Sequence, residues 1–303
     1  MFHTPVLLKE VLEWLAPQPG QKFIDATTDG GGHALAVLEK IQPNGLSVDQ
    51  AGKLLGIEWD RELLEQLKLK VENIKFKNSL VLVNDSYINL KKIVEEKGFT
   101  EADGILFDLG MSSWHLSQSN RGFSFQKDEL LDMRFNAKTE LPALEIINTF
   151  SEKDLEKIIS KYGEEKFADR IAMGIVGARR GGIIKTTLQL AEIIKKSTPQ
   201  WYGNRRIHPA TKTFQALRIA VNGELENIAK GLDSAIEVLK RNGRMAIISF
   251  HALEDRIIKQ KFREYQKAGL VEVLTKKAIS ARYEEARLNP RARSAKLRVC
   301  KKL

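Results

Sequence analysis

Residues Phe23-Ile24-Asp25-Ala26-Thr27-Thr28-Asp29-Gly30-Gly31-Gly32-His33 constrain the fold of this chain more than any other stretch. A short apolar run ends in an acid, passes through three glycines and opens into an apolar-periodic segment, Ala34-Leu35-Ala36-Val37-Leu38. That order predicts a strand, a tight turn and a helix. Glycines let the backbone approach a ligand closely, and the unpaired N–H groups of a helix start favour a carboxylate or phosphate. The glycines do not have the G-x-G-x-x-G spacing, and no G-x-x-x-x-G-K-S/T occurs, so motif favours neither a dinucleotide nor a nucleoside triphosphate. S-adenosylmethionine fits better. It brings an amino-acid carboxylate and an ammonium, and so calls for an acid beside the glycines, where Asp25 stands.

Two further apolar runs also end in acids. Leu54-Leu55-Gly56-Ile57 leads to Glu58, and Gly104-Ile105-Leu106-Phe107 leads to Asp108. Ligands of open α/β sheets bind at the carboxyl ends of parallel strands, and an acid after the second strand accepts hydrogen bonds from ribose hydroxyls. Glu58 suits that position. Leu80–Val83 predicts a third strand, followed by Tyr87, an aromatic placed either to stack on an adenine or to fill the core. Asp60 reads as the N-cap of a helix over Arg61–Leu69. The amphipathic spacing of Val6, Leu7, Val11, Leu12 and Leu15 predicts a helix over His3–Leu15.

From Trp114 the pattern changes to loops and then to helical periods between Leu141 and about Lys196, with Lys161, Arg170, Arg179, Arg180 and Lys185 among them. The expected organisation is an α/β domain over 1–113 and 206–303, interrupted by an all-helical domain over 114–205. A helix over His208–Asn222 and a strand over Met245–Phe250 complete the second part of the α/β domain. His251-Ala252-Leu253-Glu254-Asp255-Arg256 reads equally as a functional loop or as a helix start, and the tail from Thr275 is basic through Arg291 and Arg293. With 303 residues and 43% hydrophobic content the chain can bury a full core, and a net charge of +10 favours a polyanionic partner, RNA or DNA. A single cysteine, Cys300, and the lack of an apolar run of about 20 residues lead us to expect a reduced, cytoplasmic chain without a membrane span. The five histidines are scattered without cysteine companions, a pattern unlike a zinc site.

Read in order, these segments resemble the bacterial 16S rRNA cytosine-N4 methyltransferases, which act on a cytidine of the small-subunit decoding region. The resemblance runs through His3-Thr4-Pro5-Val6-Leu7-Leu8, Asp25–His33, Asp108-Leu109-Gly110-Met111-Ser112-Ser113, Arg121-Gly122-Phe123-Ser124-Phe125 and Leu131-Asp132-Met133-Arg134. It continues through Tyr162-Gly163-Glu164-Glu165, His208-Pro209-Ala210-Thr211, Phe214–Ile219 and Ser249–Arg256. It implies a class I, Rossmann-like sheet with an inserted all-helical substrate-recognition domain, S-adenosylmethionine as donor, and 16S rRNA of the small ribosomal subunit as partner. A homodimer is left open.

The resemblance carries cofactor contacts to Gly31, Gly32, His33, Glu58, Tyr87, Asp108 and His115, beside Asp25. The family usually has Gly at Asp29, Asp at Glu58, Phe at Tyr87, Gln at His115 and Ser at Ala252. Asp108 is also the first candidate for the catalytic group that accepts hydrogen bonds from the cytosine amino group, a role that competes with cofactor contact. Arg134, Arg256, Arg291 and Arg293 are the expected RNA contacts.

Overall fold

The computed structural model describes residues 5–42, 51–74, 77–203 and 207–303, so His3, Thr4, Arg205 and Arg206 of the sequence reading lie outside the described residues. The chain forms two compact units, Met1–Ser112 with Leu225–Leu303, and Ser113–Glu224.

The first unit is built on a doubly wound sheet. Its strands are β1 (Lys22–Asp25), β2 (Lys53–Glu58), β3 (Leu80–Asn84), β4 (Ala102–Asp108), β5 (Leu239–Ser249), β6 (Val271–Val273), β7 (Ile279–Ser280) and β8 (Lys296–Lys302). The order is β3-β2-β1-β4-β5-β8-β6, with β7 paired to β8. β1 to β5 run parallel, and β8 is antiparallel to β5, β6 and β7. Successive side chains on a strand point to opposite faces, so both faces of a parallel sheet must be apolar and covered. Ile24, Leu55, Ile105, Phe107 and Ile247 enter one core layer, and their neighbours Phe23, Leu54, Leu106, Ala246 and Ile248 enter the other.

The second of these layers is covered by α1 (Leu8–Leu15) and α2 (Gly32–Ile41), and the first by α4 (Leu90–Lys97), α12 (Glu224–Val238) and α13 (Ala252–Lys267). α3 (Arg61–Val71) follows β2, and Asp60 caps it by accepting from the backbone N–H groups of Glu62 and Leu63. α1 begins at Leu8, after Leu7 turns in the left-handed region at φ 55°. β5 begins earlier than the sequence suggests. Instead of starting at Met245, it runs back through Asn242 and Gly243, which form an irregularity inside it, with Asn242 at φ 65° and a register shift opposite Ala102–Gly104. The order reverses between β1 and β4, the place beyond the carboxyl ends of the strands where open α/β sheets bind ligands.

The second unit contains α5 (Ser113–Ser117), α6 (Ala143–Thr149), α7 (Glu152–Gly163), α8 (Ala168–Arg179), α9 (Thr187–Ser197), α10 (Gln200–Gly203) and α11 (Ala210–Asn222). Here the structure departs from the expected division at 205/206, because α11 packs within this unit. The Gln215 amide donates to the Tyr162 carbonyl at 3.1 Å and Lys212 to the Glu164 carbonyl at 2.7 Å. Asn222 accepts from the Phe135 N–H at 2.9 Å and donates to the Met133 carbonyl at 2.8 Å. Buried Arg218 also pairs with Glu224 through two hydrogen bonds of 2.8 and 2.9 Å. Gly223, at φ 61°, then ends α11.

α7 and α11 approach so closely that a Cβ on Gly163 would lie 2.7 Å from the Lys212 carbonyl oxygen. Gly163→Ala is therefore expected to destabilise the protein by about 1–3 kcal/mol, the usual range for overpacking a tight contact. Urea unfolding of the variant against the parent checks this; an unchanged midpoint would contradict the contact.

Candidate active site at the carboxyl ends of the strands

β1, β2 and β4 end in Asp25, Glu58 and Asp108, only 3%, 7% and 5% exposed. Loops between neighbouring strands hold these acids in place. The Thr27 N–H donates to Asp25 at 3.2 Å, and the Thr27 hydroxyl oxygen accepts from the Asp108 N–H at 2.6 Å. Glu58 accepts from the backbone N–H groups of Asp29 (2.9 Å) and Asp60 (2.8 Å). Asp29 adopts φ 47° and is half-buried, so a fourth carboxylate joins the other three. Gly31 follows at φ 79°, where a side chain would be strained and would also meet Leu67.

His33, on the first turn of α2, links the turn to Asp108. Its Nε2 lies 2.9 Å from the Val6 carbonyl oxygen, which can only accept, so Nε2 carries the proton. Nδ1 then presents its lone pair to Asp108 Oδ2 at 3.4 Å. One proton on that line satisfies both groups. Burial lowers the His33 pKa, and burial raises Asp108 to about 7, with Arg291 opposing the rise and Glu254 adding to it. Burial also raises Asp25 to about 6 and Glu58 to about 8. Asp29 is raised well above the usual carboxylate range by burial first and by Glu58 next. Acids this clustered disfavour one another's ionisation until a cation joins them.

The structure thus brings Asp25, Gly31, Gly32, His33, Glu58 and Asp108 to one end of the sheet in the first unit. Tyr87 follows β3 and is half-buried, its ring edge-on to Phe107 at 5.6 Å and pressed against Gly231. His115 belongs to the second unit, buried among Trp114, Phe123 and Phe135 at ring separations of 5.4, 5.1 and 4.9 Å.

The arginines expected at RNA have diverse surroundings. Arg134 pairs with both oxygens of Asp132 at 2.7 and 3.0 Å and donates to the carbonyls of Ala137 and Thr139, so its fork is engaged within its own loop. Arg256 is exposed on α13, whose start settles the Ser249–Arg256 motif as a helix cap: His251 accepts from the Glu254 N–H, and buried Glu254 accepts from the N–H groups of Phe250 and His251. Arg293 is exposed, with Nε donating to the Ala286 carbonyl. Arg291 differs from the rest. It is half-buried, donates to the Met111 carbonyl, and its charge acts on Asp29 and Asp108. Sequence reasoning missed both Asp29 and Arg291 as members of this site. The left-handed turn conformation that Asp tolerates was the available signal for Asp29.

A sheet of this order, with a glycine-led helix after β1 and acids ending β1, β2 and β4, is that of a class I, Rossmann-like methyltransferase. The chain belongs to the MraW methylase family, whose profile matches residues 1–303. It is 44% identical over 301 residues to a ribosomal RNA small subunit methyltransferase H from Sulfurihydrogenibium sp., covering 99% of each chain. It is 44% identical to the protein of that name from Pelobacter propionicus, covering 99% of this chain and 98% of the relative, and 39% identical to the one from Clostridium botulinum strain Kyoto, covering 99% of each. The protein is a methyltransferase with S-adenosylmethionine as donor. The site fits that cofactor. Asp108 Oδ1 is buried with no hydrogen-bond partner among the described residues, beside further carboxylates suited to a sulfonium, an ammonium and ribose hydroxyls.

The raised Asp108 pKa has a consequence for stability. Its protonated form is favoured by folding, so the stability it contributes is full below about 4, the unfolded value, and is lost as pH rises through about 7. Asp108→Asn stays neutral and keeps a donor toward His33 Nδ1. Without donor bound, it is expected to match the parent's melting temperature near pH 4 and exceed it at pH 8; a parent equally stable relative to the variant at both pH values would contradict the assignment.

Proposed function

We propose that this protein transfers a methyl group from S-adenosylmethionine to N4 of a cytidine in 16S rRNA of the small ribosomal subunit. The acid cluster with the unmatched Asp108 oxygen, in a chain that a methylase family matches from end to end, carries the reading. The relatives, ribosomal RNA small subunit methyltransferases, supply the substrate class, and a net charge of +10 suits an RNA partner. Among the described residues no helix is long and apolar enough to cross a membrane, in keeping with work on ribosomal subunits in the cytoplasm.

The bound donor supplies a methyl already activated on a sulfonium, leaving the protein to align, to exclude water and to manage one proton. Gly31, Gly32 and His33 would hold the amino-acid end at the turn, Asp25 and Asp29 would face its ammonium, and Glu58 would accept from the ribose hydroxyls. Tyr87 would border the adenine. The exocyclic nitrogen of cytosine is a weak nucleophile because its lone pair is delocalised into the ring. Asp108 Oδ1 accepts a hydrogen bond from that amino group and draws the lone pair back to nitrogen, while Oδ2 is steadied by His33. With the C–S electron pair left on sulfur, N4 would give up one proton to Asp108 Oδ1, the acceptor of its hydrogen bond.

In the inserted unit, Lys161, Arg170, Arg180 and Lys185 are exposed and serve as phosphate contacts, with Arg256 and Arg293 of the first unit. Arg179 is partly committed to the Ile147 carbonyl at 2.9 Å. Half-exposed Trp201 offers a face on which an unpaired base can stack; its ring meets Phe167, over which Lys166 and Arg170 each sit at 5.7 Å.

Purified small subunits and naked 16S rRNA, incubated with labelled donor and digested to nucleosides, are expected to yield N4-methylcytidine. Asp108→Ala should lower the rate about a hundredfold, the scale of a lost acid–base contact. No transfer to either RNA form, with donor binding intact, would remove the rRNA assignment and favour a small-molecule acceptor.

A further inference from the structure

The acid cluster contains a guanidinium whose position is fixed from both sides. Arg291 lies in the short 3-10 turn Pro290–Ser294, where the Asn289 side chain accepts from its N–H and where Ala292 and Ala295 are buried in the core layer beneath α1 and α2. Ahead of that turn, α14 (Tyr283–Leu288) is tied to the N-terminal segment by Glu285, which accepts from the Leu7 N–H at 2.7 Å. The guanidinium donates to the carbonyl of Met111, three residues beyond Asp108 on the segment leaving β4. It therefore stands beside the acids.

Charge matching points to its ligand. S-adenosylmethionine has two cationic centres, the sulfonium and the ammonium, and one carboxylate. Asp25, Asp29, Glu58 and Asp108 suit the cations and the ribose but repel the carboxylate. Lys70 is exposed and donates to the Gly30 carbonyl, and His33 points one nitrogen at Val6 and the other at Asp108. A planar guanidinium can keep one N–H on a carbonyl and present others to a carboxylate.

We propose that Arg291 binds the carboxylate of the donor's amino-acid end, closing the cofactor site with the C-terminal segment. This rests on the donor lying at the carboxyl ends of β1 and β4. Arg291 is then a cofactor-binding residue and not an RNA contact.

Calorimetric titration with S-adenosylhomocysteine and with its decarboxylated analogue, which keeps the amine, separates the alternatives. Arg291→Gln should weaken S-adenosylhomocysteine by about tenfold to a hundredfold and the analogue by no more than about twofold, the loss of one charge-assisted pair. Arg291→Lys should fall between Gln and the parent. Equal losses for both ligands would make the residue merely structural, and no loss for either would leave the carboxylate to the amides of the glycine turn; each result overturns the inference. Wild-type protein that bound neither ligand would overturn the donor reading itself. Retained affinity for the analogue also shows that the variant is folded.

Discussion

Parallel strands buried on both faces leave their carboxyl ends as the place where this unit can present polar chemistry. The alternation of Phe23 with Ile24, Leu54 with Leu55 and Leu106 with Ile105 commits the sheet to apolar contacts above and below. The next residue in each of the three strands' final positions is the first that need not be apolar. Asp25, Glu58 and Asp108 occupy those positions, and sheet pairing holds β1 between β2 and β4. The acids are neighbours because the strands are.

That proximity is unfavourable for the protein without its ligand. Burial raises all three carboxyl groups, and His33, whose Nδ1 faces Asp108, has a lowered pKa of its own. A cationic ligand changes the balance by favouring the ionised forms. Under the proposed function, recognition of the donor is linked to ionisation of Asp108, the carboxyl group proposed to accept from the incoming amino group. Arg291 restrains the excess of negative charge from the opposite end of the chain, joining Met111 to a segment 180 residues later.

Much of the sheet was legible from short apolar runs that end in acids, because local period and burial on two faces coincide there. Asp60 lies in a helix-start pattern that needs only a few residues to recognise, and it caps α3 as that pattern implies. Long-range relations were less visible. α11 has the same apolar period whichever unit it covers, and its assignment depends on Gly163, Asn222 and their partners elsewhere in the second unit. Arg291 and Arg293 look alike in a basic tail, yet one reaches the acids and the other the Ala286 carbonyl. Arg134 was equally ambiguous, since a nearby Asp can be a salt-bridge partner or a bystander, and Asp132 is the former.

The proposed site requires donor binding to draw a proton from the strand-end acids. Titration of S-adenosylmethionine near pH 7 in buffers of different ionisation enthalpy, for the parent and for Asp108→Asn, measures that proton directly. The parent should release more protons on binding than the variant, by a margin that shrinks at pH 9, where Asp108 is already ionised. Equal proton release by the two proteins at pH 7 would mean that Asp108 does not change its ionisation with the donor, and the electrostatic account of this site would be wrong.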